Sequence, residues 1–347
     1  MPRTSVVIPS YNHAAFIGHA VNSVLKQTDT DFELIIVDDG STDNSLEILS
    51  SFSDSRVKVY SQSNQGAHAA INRGLREANG KYLAILNSDD AYHPQRLEKL
   101  IPILDRDSKI GLVGSHIQII DDTNRNLSVK HKYEDNEPWS LTKPERSFRA
   151  GEDLYAALLT ENYWATTSNF IFSRDWYEQV GEFRPLRYAH DWDFALRIAN
   201  KAKLDWFPEP LIQYRLHESN TIRTNQSAMI LEICWILAVH LPQSIFRQCE
   251  KDISEAVQVD RLLNSIYTYG CDTILSVMLL QNLHERIDLA LQLLENDNPI
   301  RLRYLEFIQE RVKQPDSETV KQSAGSYGAM ISRLLQWVRR IIYNSLK

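Results

Sequence analysis

The first ninety or so positions alternate between two hydrophobic patterns. Apolar runs at 5–9, 32–37 and 81–86 are too short for helices and fit strands buried on both faces, and 57–60 adds a further short strand. Between them, apolar residues recur at helical spacing: Ile17, Val21, Val24 and Leu25 within 14–27, and Ile71 and Leu75 within 67–79. A shorter helix is predicted at 45–51, capped by Thr42 or Asp43, and Asn12 is predicted to cap the helix beginning at 14. Gly80, after Asn79, supplies a left-handed stop. The order βαβαβαβ predicts an α/β fold, a mostly parallel sheet with helices on both faces.

Further along, the pattern predicts a helix at 94–104, a strand at 110–120, a helix at 174–180 ended by Gly181, and strands at 204–207 and 211–216. The polar, charged stretch 121–150 reads as a long excursion across the mouth of a site, followed by helix at 151–160. Beyond residue 224, helices are expected at 229–240, 254–282, 283–296 and 301–312. The chain thus divides into a domain at 1–224, a helical appendage at 225–325 that shapes acceptor choice or pairs subunits, and a terminal helix at 326–347. That last helix carries an apolar stripe (Ile331, Leu334, Leu335, Val338, Ile341, Ile342) beside Arg333, Arg339, Arg340 and Lys347. It suits an anionic membrane surface or the protein's own core equally well.

Polar residues mark where the predicted strands stop. Asp38 and Asp39 follow 32–37, and Asn87, Ser88, Asp89 and Asp90 follow 81–86. Open α/β sheets bind ligands outside the carboxyl ends of their strands. Adjacent carboxylates there repel unless something positive shares the space, and a hard divalent cation on a diphosphate is one such partner. The same residue types also build turns and caps, so by themselves they fit either role. The first strand–helix turn, 9–16, lacks the glycine-rich dinucleotide pattern, and no Gly-Lys-Ser/Thr phosphate loop occurs. A metal held by strand-end carboxylates is the remaining simple way to hold a diphosphate.

The 347 residues are 43% hydrophobic, ample for one large core or for a domain with an extension. A formal charge of -7 provides no basic field, which excludes nucleic acid as the main partner. Cys234, Cys249 and Cys271 are odd in number and lack metal-type spacing, as in a reducing compartment. No leader-like apolar run opens the sequence, and no stretch of about 18 apolar residues predicts a spanning helix. A cytoplasmic protein is expected, peripheral on the inner face of the cell membrane if the terminal helix binds there.

Six separated stretches together resemble a family 2 glycosyltransferase with the GT-A fold: VVIPSYN at 6–12, IVDDGSTD at 36–43, NQG at 64–66 with NRG at 72–74, LNSDD at 86–90, HDWD at 190–193 and YRLH at 214–217. Each is weak alone, but their order and spacing are specific, and the resemblance covers about 4–222. It implies transfer of a sugar from a nucleotide diphosphate, with inversion, to a glycan or lipid-linked acceptor in cell-surface polysaccharide or lipopolysaccharide assembly. Asp39 or Asp38 resembles the acid that reads the nucleobase, and acceptance from a uracil-type imide favours a UDP-sugar. Pro9, Tyr11 and Asn12 resemble the nucleotide-side wall, and Asn64, Gly66 and Asn72 belong to the same donor side.

Asn87-Ser88-Asp89 stands in place of the family's Asp-x-Asp motif. Asp89 resembles its metal-binding aspartate, with Mn²⁺ or Mg²⁺ as cofactor, while Asn87 departs from the motif and removes one charge. Asp90 is expected to orient the loop or the donor sugar. Asp191 resembles the general base of the family's Glu-Asp motif, and His190, standing for Glu, is expected on the acceptor side. His217 matches a histidine that this fold supplies to the metal or diphosphate, and Arg215 is expected to neutralise the diphosphate. Trp164 and Thr167 are expected to line the acceptor pocket, although core packing fits Trp164 as well.

Asn87 and His190 keep a catalytically silent nucleotide-sugar-binding module in play as the alternative. A processive synthase is disfavoured by the absence of a Gln-x-x-Arg-Trp sequence, and a nucleotidyltransferase by the character of the 9–16 loop. Donor sugar, acceptor and oligomeric state are left open.

Overall fold

The computed structural model describes residues 1–130, 158–159, 162–217, 225–248 and 272–313. Strands β1 (Thr4–Ser10), β2 (Phe32–Asp38), β3 (Val57–Ser61) and β4 (Tyr82–Ile85) alternate with α1 (Ala14–Leu25), α2 (Ser45–Ser50) and α3 (Ala67–Glu77). After them come β5 (Ala91–Tyr92), α4 (Arg96–Arg106), β6 (Ile110–Ile120), β7 (Asn126–Lys130), a 3₁₀ turn at Thr167–Asn169, β8 (Ile171–Ser173), α5 (Arg174–Val180), α6 (His190–Ala199) and β9 (Lys203–Arg215). Helices α7 (Gln226–Gln248), α8 (Asp272–Leu280), α9 (Ile287–Gln292) and α10 (Pro299–Lys313) complete the described chain.

The strands form one sheet in the order β3-β2-β1-β4-β8-β6-β9-β5, with β7 on β6. The β3-β2-β1-β4 half is parallel, as the alternation predicts, and β6 and β9 are also parallel to each other. The short β8 runs antiparallel to both β4 and β6, so β6 and β9 point the same way as β4. The carboxyl ends of β1, β2, β4 and β9 therefore lie along one edge. The sheet is mixed because β5, β7 and β8 are short strands set against their neighbours. The two predicted strands at 204–207 and 211–216 are one strand, β9, whose pairing with β6 shifts register beside Pro208 and Pro210. Proline donates no ladder hydrogen bond, which suits an irregularity there.

Alternate residues of the central strands feed two cores. Val7, Ile35, Val37, Leu83 and Ile85 face α3, α6 and α7, whereas Val6, Ile8, Leu34, Ile36 and Ala84 face α1 and α4. Each fully buried Ile or Leu contributes about 2 kcal/mol by area. Leu231, Cys234, Trp235 and Leu237 of α7 belong to the same apolar cluster as the sheet. The expected boundary between 224 and 225 thus runs through one continuous core. The predicted helix 254–282 is described only over α8, and the terminal helix 326–347, most of 121–150 and 151–160, Cys249 and Cys271 lie outside the described residues. Among the described residues, no helix is long and apolar enough to cross a membrane.

Local chemistry at the strand ends departs from the predicted caps. Asn12 adopts a left-handed backbone (φ 52°) and does not cap α1; its Oδ1 accepts from the Thr42 amide at 2.7 Å. Asp43 does that work from the next loop, accepting from the Ala14 amide at 2.9 Å and from Ser45. Gly40 (φ 77°) is required where the loop after β2 meets the one after β3: a Cβ there would sit 2.9 Å from the Asn64 backbone nitrogen.

Candidate active site

The ends of β1, β4 and β9 bring three metal-type ligands together. His13 follows β1, Asp89 follows β4, and His217 follows β9; one ligand atom of each lies within 4.8 Å of the others. His217 Nε2 is 3.0 Å from Asp89 Oδ2, and the His13 and His217 rings meet edge-on with centroids 5.7 Å apart. Burial pushes the Asp89 carboxyl up, but the His217 hydrogen bond and the nearby His13 outweigh it and hold the group below its usual range. His13 Nδ1 sits 2.7 Å from Ser88 Oγ. If that nitrogen is the donor, the tautomer leaves a lone pair on Nε2, an arrangement common for ligating histidines. Two imidazoles and a carboxylate can hold a divalent transition-metal cation such as Mn²⁺, and suit Mg²⁺, which prefers oxygen ligands, less well. Sequence reasoning paired Asp89 with His217 but missed His13, whose signal was its place directly after a strand-end turn.

Asp90, expected near the donor sugar or the loop, belongs to the loop. It is 1% exposed; its Oδ2 accepts from Ser168 Oγ at 2.6 Å and its Oδ1 from the Arg215 amide at 2.9 Å. Burial, and then the neighbouring Asp89, push its carboxyl well above the usual range. Arg215 is buried as well. Its guanidinium donates to the carbonyls of Asp89 and Asp121 and to Asn124 Oδ1, and lies 2.8 Å from His19 Nδ1. Arg215, expected at the diphosphate, has its donors engaged by these protein groups, as a buried guanidinium requires.

The two acids after β2 divide their work. Asp39 Oδ1 accepts from Gln62 Nε2 (2.8 Å) and the Gln65 amide (3.0 Å), and Oδ2 from the Gly66 amide (2.7 Å). It locks the start of α3 to the end of β2. Asp38 Oδ2 accepts from the Ser41 amide at 3.1 Å, and its Oδ1 is buried with no hydrogen-bond partner among the described residues. An orphaned buried acceptor costs about 1–3 kcal/mol.

Other expected donor contacts separate. Asn72 exchanges two 2.8 Å hydrogen bonds with the backbone of Phe183 and is 6% exposed, so it ties α3 to the loop before α6 instead of reaching the cleft. Asn87 is clamped on both sides: its Nδ2 donates to Thr166 Oγ1 (3.0 Å) and its Oδ1 accepts from Thr167 Oγ1 (2.8 Å). Tyr11 is 44% exposed, Asn64 is exposed, and Pro9 is buried inside β1. Gly66 caps α3 with φ 93°.

Asp191 is the second residue of α6. It is 7% exposed, with Oδ1 accepting from the Trp192 amide at 2.7 Å and Oδ2 from Asn162 Nδ2 at 3.0 Å. Asp193 is fully enclosed by Arg184, Arg197 and His240, which leaves Asp191 as the reachable acid of the pair. His190 is held neutral by burial, and its Nδ1 has no partner among the described residues. Trp164, expected to stack on an acceptor, is 1% exposed, packs against Trp206 and Phe170, and donates to the Asn169 carbonyl at 3.3 Å. Thr167 is 2% exposed and committed to Asn87. Both belong to the core beneath the site.

Comparisons with known proteins bear on the family and the fold. The model of the family described as Glycosyl transferase family 2 matches residues 5–181. An uncharacterized glycosyltransferase of Nostoc sp. is 31% identical over 234 residues, 65% of this chain and 68% of that one. Chondroitin synthase of Pasteurella multocida is 30% identical over 223 residues, 64% of this chain but 21% of the synthase. The crystal structure of S. aureus TarS 1–349 in complex with UDP-GlcNAc superposes with a TM-score of 0.57 at 18% identity, covering 91% of this chain and 93% of that one. That likeness concerns the fold, with its mixed sheet and C-terminal helices. The chain belongs to glycosyl transferase family 2 and is a glycosyltransferase of the GT-A fold.

Proposed function

We propose that the enzyme transfers a sugar from a nucleoside diphosphate, UDP favoured, to a hydroxyl of a glycan or lipid-linked saccharide, with inversion. The convergence of His13, Asp89 and His217 at the ends of β1, β4 and β9 carries this reading. A divalent cation held by these three would neutralise the charge that gathers on the departing diphosphate. Asp39 or its neighbour Asp38 is the acid that suits an imide N–H of uracil, and Tyr11, 44% exposed, offers a stacking face. Asp39 also ties the end of β2 to the start of α3.

Asp191 acts as general base. Its carboxylate takes the proton of the acceptor hydroxyl; that oxygen attacks the anomeric carbon, the bond to the diphosphate oxygen breaks, and the nucleoside diphosphate leaves. A single displacement from the face opposite the leaving group inverts the anomeric configuration. The asparagine at position 87 has structural partners of its own, which supports a working site despite the missing acid. A role in cell-surface polysaccharide assembly rests on relatives such as the chondroitin synthase. Proton NMR of the product formed from an α-linked UDP-sugar tests the reading: a β-linked product supports it, and a retained α-linkage contradicts it.

A further inference from the structure

Helix α6 begins without a cap of its own. Ala189, at its N-cap, has no side chain to offer, and no side-chain cap hydrogen bond forms there. The three residues leading into the helix bring backbone N–H groups that must find acceptors. One buried carboxylate takes all three. Glu232 of α7 accepts from the Arg187 amide at 2.9 Å, the Tyr188 amide at 2.7 Å and the Ala189 amide at 3.1 Å, from as far as 45 positions away in sequence.

Glu232 is 1% exposed on an otherwise apolar stretch, between Leu231 and the buried Cys234 and Trp235. It has no ion pair among the described residues, so backbone N–H groups are what hold its oxygens. Burial is costly for a carboxylate and pushes this one up, against the pull of the three N–H groups. A leucine would pack there with no such cost. About two turns further along the same helix, His240 Nε2 donates to Asp193 Oδ1 at 2.9 Å, fastening the first turn of α6 a second time. Between these two fastenings sits Asp191, whose own side chain is held, among the described residues, by the neighbouring Trp192 amide and by Asn162. The backbone under Asp191 is therefore set by α7.

We infer that Glu232 is a positioning residue for the general base: it caps the run-up to α6 and so fixes where the Asp191 carboxylate stands. This rests on the reading of Asp191 given above. It also assigns the helix beyond residue 224 a part in the reaction, although the family match ends at residue 181. Glu232→Gln keeps the size of the side chain but sets an N–H₂ against one of the backbone donors.

The test compares wild type with Glu232→Gln, Glu232→Ala, Asp191→Asn and the double variant Asp191→Asn/Glu232→Gln. Rates are read as nucleoside diphosphate release from the donor that wild type hydrolyses best in a panel of UDP-, GDP- and dTDP-sugars. Donor affinity and amide hydrogen exchange are measured alongside. Glu232→Gln is expected to lower kcat by about 10²-fold, the scale for misplacing a catalytic group by about an ångström, while donor Kd changes less than about twofold. Exchange should quicken at 187–193 and stay unchanged at 5–10 and 82–90. In the double variant the rate should match Asp191→Asn alone, because the glutamate acts through the aspartate. Wild-type kcat in both Glu232 variants, a parallel loss of donor binding and of protection across the sheet, or additive losses in the double variant would each overturn the inference. A wild-type rate in Asp191→Asn would remove the base assignment itself, and the inference with it.

Discussion

His217 Nε2 lies 3.0 Å from Asp89 Oδ2 although 128 positions separate the two residues. The contact exists because β9 runs parallel to β6, and both point the same way as β4, so the residues after two distant strands reach one edge. His13 joins them from the end of β1. Replacing His13 or His217 with alanine is expected to weaken Mn²⁺ binding by at least about tenfold, since outer partners alone are worth that much at such sites. Titration followed by electron paramagnetic resonance of free Mn²⁺ measures it; unchanged affinity in both variants would remove the imidazoles from the site.

The neighbours Asp38 and Asp39 should separate in function. Asp39→Asn sets its N–H₂ against the amide of either Gln65 or Gly66 and is expected to cost about 1–3 kcal/mol of stability. Asp38→Asn can still accept from Ser41 and present N–H₂ where the free oxygen stood. It should leave the melting temperature near wild type and weaken uridine nucleotide binding by about 10–100-fold. Calorimetry and thermal melts on the two variants distinguish the roles.

The strands, helices and strand-end acids of the N-terminal half were legible because continuous apolar runs and helical periodicity are local signals. The pairing of Asp89 with His217 was legible only through the resemblance. What the sequence concealed is set by tertiary packing. Asn72, Arg215 and Trp164 are polar or aromatic residues near motif positions, and nothing local distinguishes a side chain aimed into a cleft from one that ties two backbone segments together. Glu232 was hidden for the opposite reason: it sits in an apolar helical stretch with no motif around it, and its partners are backbone amides, which leave no residue signature.

Asp191→Asn is expected to lower transfer by about 10²–10⁴-fold, the usual contribution of a general base, while nucleotide affinity stays at the wild-type value. Steady-state turnover and equilibrium binding on the same preparation test this. Equal losses in both would mean that Asp191 serves the fold.

The contribution of His240 to stability should fall as the solution turns mildly acidic. Burial holds the His240 imidazole below its ordinary value, so it donates to Asp193 as a neutral ring. The unfolded chain takes up a proton as pH drops through about 6.5, whereas the folded chain resists it until lower pH. The stabilisation is thus complete above about 6.5 and shrinks below it, by up to about 1.4 kcal/mol per pH unit for this residue. Asp193, held far below the usual carboxylate range by burial-defying pairing with Arg197 and Arg184, titrates outside this window. Denaturant unfolding from pH 8 to 5.5 measures the slope, and His240→Gln, which keeps a donor but no titration, should flatten it.

The most direct test of the central claim is equilibrium binding of UDP, GDP and dTDP, with and without Mn²⁺, to the wild-type enzyme and to Asp89→Ala. One nucleotide, UDP foremost, is expected to bind wild type with an affinity raised by Mn²⁺, and the metal dependence is expected to disappear in Asp89→Ala. Binding that is equally tight with and without the metal in both proteins, or no binding of any nucleotide to folded wild type, would contradict it.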